Sequence, residues 1–492
     1  MRRDAPFLLA ALLLAGCTVG PDYAGAPVAA PRAASAAGFV RAGDAPVTAD
    51  PPLARWWETL GDPVLTRLEE RALAGSPDIA IARAKLDQAR AVFRQERANR
   101  YPSLSGSALY AHARLPGANL SGESSDGGSS DSSAANLNVY NIGTTASWEV
   151  DLFGGQRRAI EAANASAEAA RASLADAQVA LTAEVAQAYV DLRDRQRRLA
   201  LNAKAIAMQA ETLRLTRQRF DQGTASRLDV ERLSQQLDST RADSVPLAAE
   251  IEAYLDAIAT MTGAEPGSVD QDVGGEGPLP LPPAQVAIGN PAALLKRRPD
   301  IRAAERTLAA ETAKIGQAKA AQFPRLSFMG ILGIGGSRFS DLSHLDDFIA
   351  LAAPQLSWSF LDFGHGGARI RQAEGVRDEA DARYRVAVLT ALRDAEDALA
   401  RFRARRVTVA TLARAKASAD TAAELSQQRY AAGTSTLIDL LDARRQQVTA
   451  AQSLSAAEAG LTGDYITLQK ALGLGWEEDK EPPAGGGQAR AK

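Results

Sequence analysis

Val185, Leu192, Leu199, Ile206, Leu213 and Phe220 recur at strict seven-residue spacing in a run from Gly155 to Asp221 that contains no Pro and no second Gly. Such a run predicts one continuous helix roughly 100 Å long at about 1.5 Å per residue. A single compact domain has no use for a rod of that length. A seven-residue rather than a 3.6-residue period keeps the apolar seam aligned only if the helix supercoils against neighbours. The chain must therefore supply partner helices, and one follows directly. Past Gly223, the positions Leu233, Leu237, Thr240, Ser244, Leu247, Ile251, Tyr254, Ile258 and Met261 alternate steps of four and three, with Pro246 placed to kink the helix. The two segments predict an antiparallel hairpin with its bend near Gly223-Thr224.

Sliding the chain along itself reveals that this unit occurs twice. Pro77-Asp78-Ile79 matches Pro299-Asp300-Ile301, and Tyr101-Pro102-Ser103-Leu104 matches Phe323-Pro324-Arg325-Leu326, both at an offset of 222 residues. Trp148 then matches Trp358, Phe153-Gly154 matches Phe363-Gly364, and Gly263 matches Gly473, at an offset of 210. Around the bends, Arg219-Phe220, Gly223-Thr224 and Asp229 match Arg429-Tyr430, Gly433-Thr434 and Asp439 at the same 210. The first copy thus carries twelve extra residues between Pro102 and Trp148, an interval holding the Ser/Gly/Asp run from Ser121 to Ser133. So polar a run cannot pack and reads as a solvated loop between two strands.

Its flanks alternate as strands do. From Tyr140 to Val150 the even positions are Tyr140, Ile142, Thr144, Ala146, Trp148 and Val150, and the odd ones Asn141, Gly143, Thr145, Ser147 and Glu149. About eleven residues of period two is the length a tilted strand needs to cross a bilayer. Leu104 to Leu115 is fainter, and Leu326 to Ile334 with Phe348 to Phe360 occupy the same places in the second copy. Four membrane strands cannot close a barrel, since single-chain barrels begin at about eight. An open sheet edge in lipid leaves backbone groups unpaired at several kcal/mol each. Membrane strands therefore require chains to pool them, and the arithmetic alone does not choose between two, three or four chains.

The start of the chain predicts a secretory leader: Met1-Arg2-Arg3, then an apolar stretch from Ala5 to Leu14 that is too short to span a bilayer. It ends in Leu14-Ala15-Gly16-Cys17, which resembles the lipobox of bacterial lipoproteins, and Cys17 is the sole cysteine. That resemblance implies cleavage after residue 16 and acylation of Cys17. Several acyl chains, at about 0.8 kcal/mol per buried methylene, would anchor the chain stably. Thr18 stands where an Asp commonly signals inner-membrane retention, which favours the outer membrane.

Composition excludes other classes. Without the leader the chain has 54 basic and 58 acidic residues, which argues against a nucleic-acid partner. One cysteine and three scattered histidines, His112, His344 and His365, argue against a zinc site. No phosphate-binding G-x-x-x-x-G-K-[ST] loop is present, so any energy must come from another protein. No cofactor is implied, and no cluster of nucleophile, base and orienting group marks an enzyme.

The lipobox, Trp56-Trp57, Leu60-Gly61-Asp62-Pro63, Arg297-Arg298-Pro299-Asp300-Ile301 and the two Gly-Thr bends together resemble the TolC-like outer membrane factor family. More narrowly, they resemble its acylated branch, of NodT and OprM type, which serves resistance-nodulation-division pumps. The resemblance implies a mainly α fold with membrane β. Each of three chains would give four strands to a twelve-stranded barrel continuous with a long α-helical barrel. It also implies a passive exit duct for drugs or other small molecules, partnered by a periplasmic adaptor and an inner-membrane transporter. Exit of secreted protein is the nearest alternative, and a non-porating coiled-coil scaffold the alternative of another class.

The organisation expected is a leader at 1–16, an acylated tether at 17–60, one repeat at 61–263, a linker at 264–289, a second repeat at 290–473 and a disordered tail at 474–492. Strands are expected at about 103–115 and 137–151 and, in the second repeat, at about 325–338 and 348–362, with long helices at about 155–221 and 366–431. Asp439 and Asp442, three apart early in a helix, repel each other mildly. The first copy has Arg232 in place of the second carboxylate. By resemblance the pair lines a periplasmic gate. The bends, with Gly223, Thr224, Ser226, Asp229, Gly433, Thr434 and Ser435, are the expected adaptor contacts. Gly154, Gly155, Gly364 and Gly366 would form tight turns between barrel and tunnel. Lys296-Arg297-Arg298 reads as a solvated helix entry.

Overall fold

The computed structural model describes residues 18–43, 47–115, 135–343, 346 and 348–477. The first repeat runs from a 3-10 turn at Trp56–Leu60 through α1 (Pro63–Gly75), α2 (Pro77–Ala98), β2 (Ser103–Leu115), β3 (Ala135–Val150), α3 (Gly155–Asp221), α4 (Arg227–Ala242) and α5 (Ser244–Met261). The second runs through α6 (Pro291–Arg297), α7 (Pro299–Ala320), β5 (Arg325–Gly336), β6 (Phe348–Ser357), α8 (His365–Ala431) and α9 (Leu437–Ala471). Two short strands, β1 (Val47–Thr48) and β4 (Val286–Ala287), pair in parallel. Among the described residues no helix is long and apolar enough to cross a membrane.

The chain divides into two compact units, through which the long helices run. One comprises residues 1–26, 87–168 and 306–382 and contains the four-stranded antiparallel sheet, in the order β2-β3-β5-β6. Register places Leu104 opposite Ala146, Gly330 and Ala352, and Ala108 opposite Ile142, Ile334 and Phe348. Because side chains alternate along a strand, the even-numbered residues of all four strands share one face. That face is mainly apolar, with His112, Arg114 and Asn138 gathered at the loop end of β2 and β3, and Leu104, Tyr110, Ile142, Leu332, Phe348 and Leu356 on it are exposed. The opposite face is mixed, with Ser103, Ser105, Asn141, Thr145, Ser147, Ser327 and Gln355 beside Leu109, Met329 and Leu351.

β6 ends at Ser357, short of the expected 362, because Ser357 opposite Arg325 is its last pair with β5. In this unit, too, the first described residues are tied down. Val19 donates its amide to Phe153 O at 3.1 Å, and the buried Arg158 reaches Val19 O, Gly20 O and Asp22 Oδ1.

The second unit, residues 27–86, 169–305 and 383–492, holds the main core. Asp62 caps α1, accepting from Val64 N at 2.8 Å and Leu65 N at 3.1 Å, while Pro63 occupies the first helical position. The Asp62 carboxylate also receives the Tyr189 hydroxyl at 2.7 Å, and burial, with this bond added, pushes the phenol up to about 12. Trp56, Trp57, Tyr189, Phe402 and Tyr465 are the large buried rings around it. Along α3, Val185, Leu192 and Leu213 of the heptad set are buried, and every step of the returning four-three pattern from Leu233 to Met261 is at least half-buried. Pro246 does more than kink that return: α4 stops at Ala242 and α5 starts at Ser244, placing the proline in a first turn where its missing N–H costs nothing.

Three stretches expected to be loose are held in place. Glu396 accepts the amides of Val40 and Arg41 at 2.8 and 2.7 Å, so the tether is clamped beside buried Phe39. The linker is pinned by Arg193 Nη1 on Gly275 O at 2.7 Å and by Thr462 Oγ1 on Pro280 O at 2.7 Å. At the start of the tail Leu474 is buried and Gly475 donates to Ala54 O at 3.0 Å. Nor is the basic run wholly solvated. Arg298 is nearly buried, forms a two-pronged pair with Asp300 at 2.7 and 2.9 Å, and donates to Ala471 O at 2.8 Å, satisfying a carbonyl at the end of α9.

Candidate functional site: the helix bends and the strand-to-helix turns

The two bends are built alike. α3 ends in a Schellman motif: Gly223 N donates to Phe220 O at 2.8 Å and Thr224 N to Arg219 O at 2.8 Å, with Gly223 at φ +73°. The second copy repeats it, Gly433 N to Tyr430 O at 3.0 Å and Thr434 N to Arg429 O at 2.9 Å, with Gly433 at +72°. Thr224 and Thr434 add their hydroxyls to those same Arg carbonyls at 3.0 and 3.1 Å. The glycines are there for backbone shape, since nothing lies within 4 Å of the Cβ either would carry.

Each returning helix then opens with a capping box. Ser226 Oγ accepts from Asp229 N at 3.1 Å while Asp229 Oδ2 accepts from Ser226 N at 3.3 Å. Thr436 and Asp439 do the same at 3.2 and 3.0 Å. The spacing Ser-x-x-Asp and Thr-x-x-Asp was legible as a cap signature, and reading Asp439 only as half of an acidic pair overlooked it. The Thr436 hydroxyl and amide hold the Asp439 carboxyl below its ordinary range.

Asp442 sits one turn on and accepts from Arg445 at 2.6 Å and Gln446 at 2.7 Å. Both carboxylates border an open groove of about 350 Å³, lined also by Ala419, Ala422, Ile438, Ala443 and Gln446. The geometry thus assigns Asp439 a capping duty and Asp442 a local pair, while both remain exposed. Ser435 Oγ is shielded and has no hydrogen-bond partner among the described residues. The two bends also touch: Arg219 Nη1 donates to the Tyr430 hydroxyl at 3.0 Å, with its guanidinium 5.7 Å from that ring. Beside them Leu213, Leu233 and Leu237 of the first copy pack with Leu437 and Leu441 of the second.

The strand-to-helix turns carry the other glycines. Gly154 and Gly364 take φ of +80° and +90°. A Cβ on Gly154 would come within 2.6–2.9 Å of Thr18, the residue covalently next to Cys17, and one on Gly155 would stand 3.2 Å from the Ala320 methyl. Gly366 donates its amide to Asp362 Oδ2 at 2.6 Å, and Gly364 N reaches the same carboxylate at 3.0 Å. In the first copy Asp151 does this work, accepting from Gln156 N at 3.2 Å and Arg157 N at 3.0 Å. Asp151 and Asp362 escaped the sequence reading, although an Asp just ahead of a glycine turn that opens a helix is a legible signal. Cys17 and His344 lie outside the described residues.

The family model described as "Outer membrane efflux protein" matches residues 68–264 and 290–474, once for each copy. Nodulation protein T of Rhizobium leguminosarum bv. trifolii is 31% identical over 476 residues, covering 96% of this chain and 97% of the relative. Outer membrane protein OprJ of Pseudomonas aeruginosa is 31% identical over 487 residues, covering 96% of each. Among solved structures, the outer-membrane channel OprN superposes with a TM-score of 0.82 at 34% identity, covering 93% of this chain and 99% of that one. With two matched copies, relatives of equal length and the same fold, the chain belongs to the outer membrane efflux protein family.

Proposed function

We propose that this protein is the outer-membrane exit duct of a tripartite efflux system. It works as a homotrimer that receives small molecules from an inner-membrane transporter through a periplasmic adaptor, and it carries out no covalent chemistry. The observation that carries this reading is the sheet, with one mainly apolar face exposed and the outer edges of β2 and β6 unpaired among the described residues. Such a face suits lipid, and in lipid only other strands satisfy such edges. Related proteins named for solvent, toluene and antibiotic efflux agree with a duct of wide tolerance, in which the transporter selects.

Cys17 is the proposed lipid anchor. The bends at Gly223–Asp229 and Gly433–Ser435 are the proposed adaptor contacts, being polar, exposed and nearly identical in backbone. Asp439 and Asp442 form the proposed gate, where three chains would gather their carboxylates around one axis.

The test is conductance. Purified protein should run as a trimer by native mass and give small, cation-selective currents in planar bilayers. Replacing both Asp439 and Asp442 by Ala should raise leak and lower cation preference by several-fold. A monomeric, non-conducting preparation would favour the scaffold alternative, and unchanged selectivity in the double variant would remove the gate assignment alone.

A further inference from the structure

The offsets seen in sequence also hold within the sheet. Adding 222 to a β2 number and 210 to a β3 number turns the pair Ser103 and Ser147 into Arg325 and Ser357, which is the observed first pair of β5 and β6. The indoles agree: Trp148 Nε1 donates to Arg100 O at 3.0 Å, and Trp358 Nε1 donates to Gln322 O at 3.0 Å. Since the copies share local geometry, a closed ring of them repeats one contact throughout. What the first copy presents to the second, the second must present to the first copy of the next chain.

Inside the chain that contact is the β3–β5 seam, where Ala146 faces Gly330 and the rings of Phe153 and Phe323 stack with centroids 4.6 Å apart and planes at 21°. The same offsets carry Phe153 to Phe363 and Phe323 to Tyr101. These two rings are 93% and 73% exposed, so the stack of their counterparts is missing from both within one chain. Phe363 is also, among the described residues, the one non-glycine residue at positive φ, +51°. Phe153, its counterpart, does not share that conformation, so the two turns differ in backbone where the rings correspond. β6 adds a second sign. β3 continues through Trp148–Val150 on β5 alone, and β6 stops where the equivalent stretch, residues 358–360, has no paired strand among the described residues.

We infer that Phe363 stacks on Tyr101 of the partner subunit, and that this stack fixes a single register between β6 and the partner's β2. The inference rests on the trimer proposed above. Carrying the β3–β5 pairs across places Leu356 opposite Ala108 of the partner subunit and Pro354 opposite Tyr110 of the partner subunit. Alternation by itself cannot choose this register, because a slip of two residues keeps every apolar side chain on the lipid face. A ring pair that meets in only one alignment can.

Cysteine pairs in the full-length protein test it, since Cys17 is the only natural cysteine. Directly opposed Cβ atoms lie about 4.5–5.5 Å apart, and diagonal ones about 7–8 Å. Leu356→Cys with Ala108→Cys should therefore oxidise to covalent dimers and trimers in membranes, and Leu356→Cys with Gly106→Cys or Tyr110→Cys should not. Adding Phe363→Ala should let the displaced pairs crosslink as well, whereas Tyr101→Phe should preserve the single register. Preferential crosslinking of a displaced pair, no crosslinking in a sample of trimeric native mass, or a register indifferent to Phe363→Ala would each overturn the inference and leave the trimer standing. A monomeric native mass would refute the trimer itself.

Discussion

Glu69 lies fully buried in α1, and neither carboxylate oxygen has a hydrogen-bond partner among the described residues. The indole N–H groups of Trp56 and Trp57, buried in the same core, are likewise unpaired there. Burial alone raises the Glu69 pKa well above the ordinary carboxylate range, so the folded chain holds a proton that the unfolded chain releases. Stability from this group is complete below the unfolded pKa, about 4.3, and falls as pH rises toward the folded value. Glu69→Gln should therefore be more stable than the parent by about 1–3 kcal/mol at pH 8, with the advantage shrinking toward pH 4. Thermal unfolding across that range checks it, and a constant difference would show that Glu69 does not titrate. The helical period places Glu69 on one face with Leu65, Leu68 and Ala72, but its charge, next to Glu70 and Arg71, reads as a surface residue.

At the scale of elements, the bends show how short-range chemistry makes two copies alike despite different side chains. Ser226 and Thr436 cap by the same hydrogen bonds, and only the flanking contacts differ. Thr436→Ala should cost about 1 kcal/mol of local stability at the start of α9, and Ser226→Ala about the same at the start of α4. Amide hydrogen exchange in those first turns should then quicken about fivefold in the altered copy and not in the other. Equal acceleration in both would mean that the bends open together, through the contact of Arg219 with Tyr430. The helices were legible because a heptad period or an apolar four-three pattern survives any packing. The break at Asp243 was half-legible: Pro246 marked the place, and tertiary fit turned a kink into a division of the return into two helices.

For the whole molecule, the tether matters most. Thr18 packs on Gly154 and Val19 bonds Phe153, so the residues after Cys17 are tied to the start of α3 and do not trail from it. An acyl group on Cys17 would then reinforce membrane attachment already supplied by the strands. Cys17→Ser should abolish incorporation of radiolabelled palmitate and leave the trimeric mass in detergent unchanged. Label retained by that variant would place the lipid elsewhere. The docked tether was not legible, because Ala, Pro and Gly without a period describe an extended chain and say nothing of what it lies against.

From residues alone came the duplication, the two long helices, the four alternating segments and the bends, all of them set by interactions between near neighbours or by periodicity. The tertiary structure decided which polar groups are buried, that Arg298 closes α9, and where β6 stops. Those outcomes depend on atoms that lie well apart in the chain, and no local pattern encodes the distance between them.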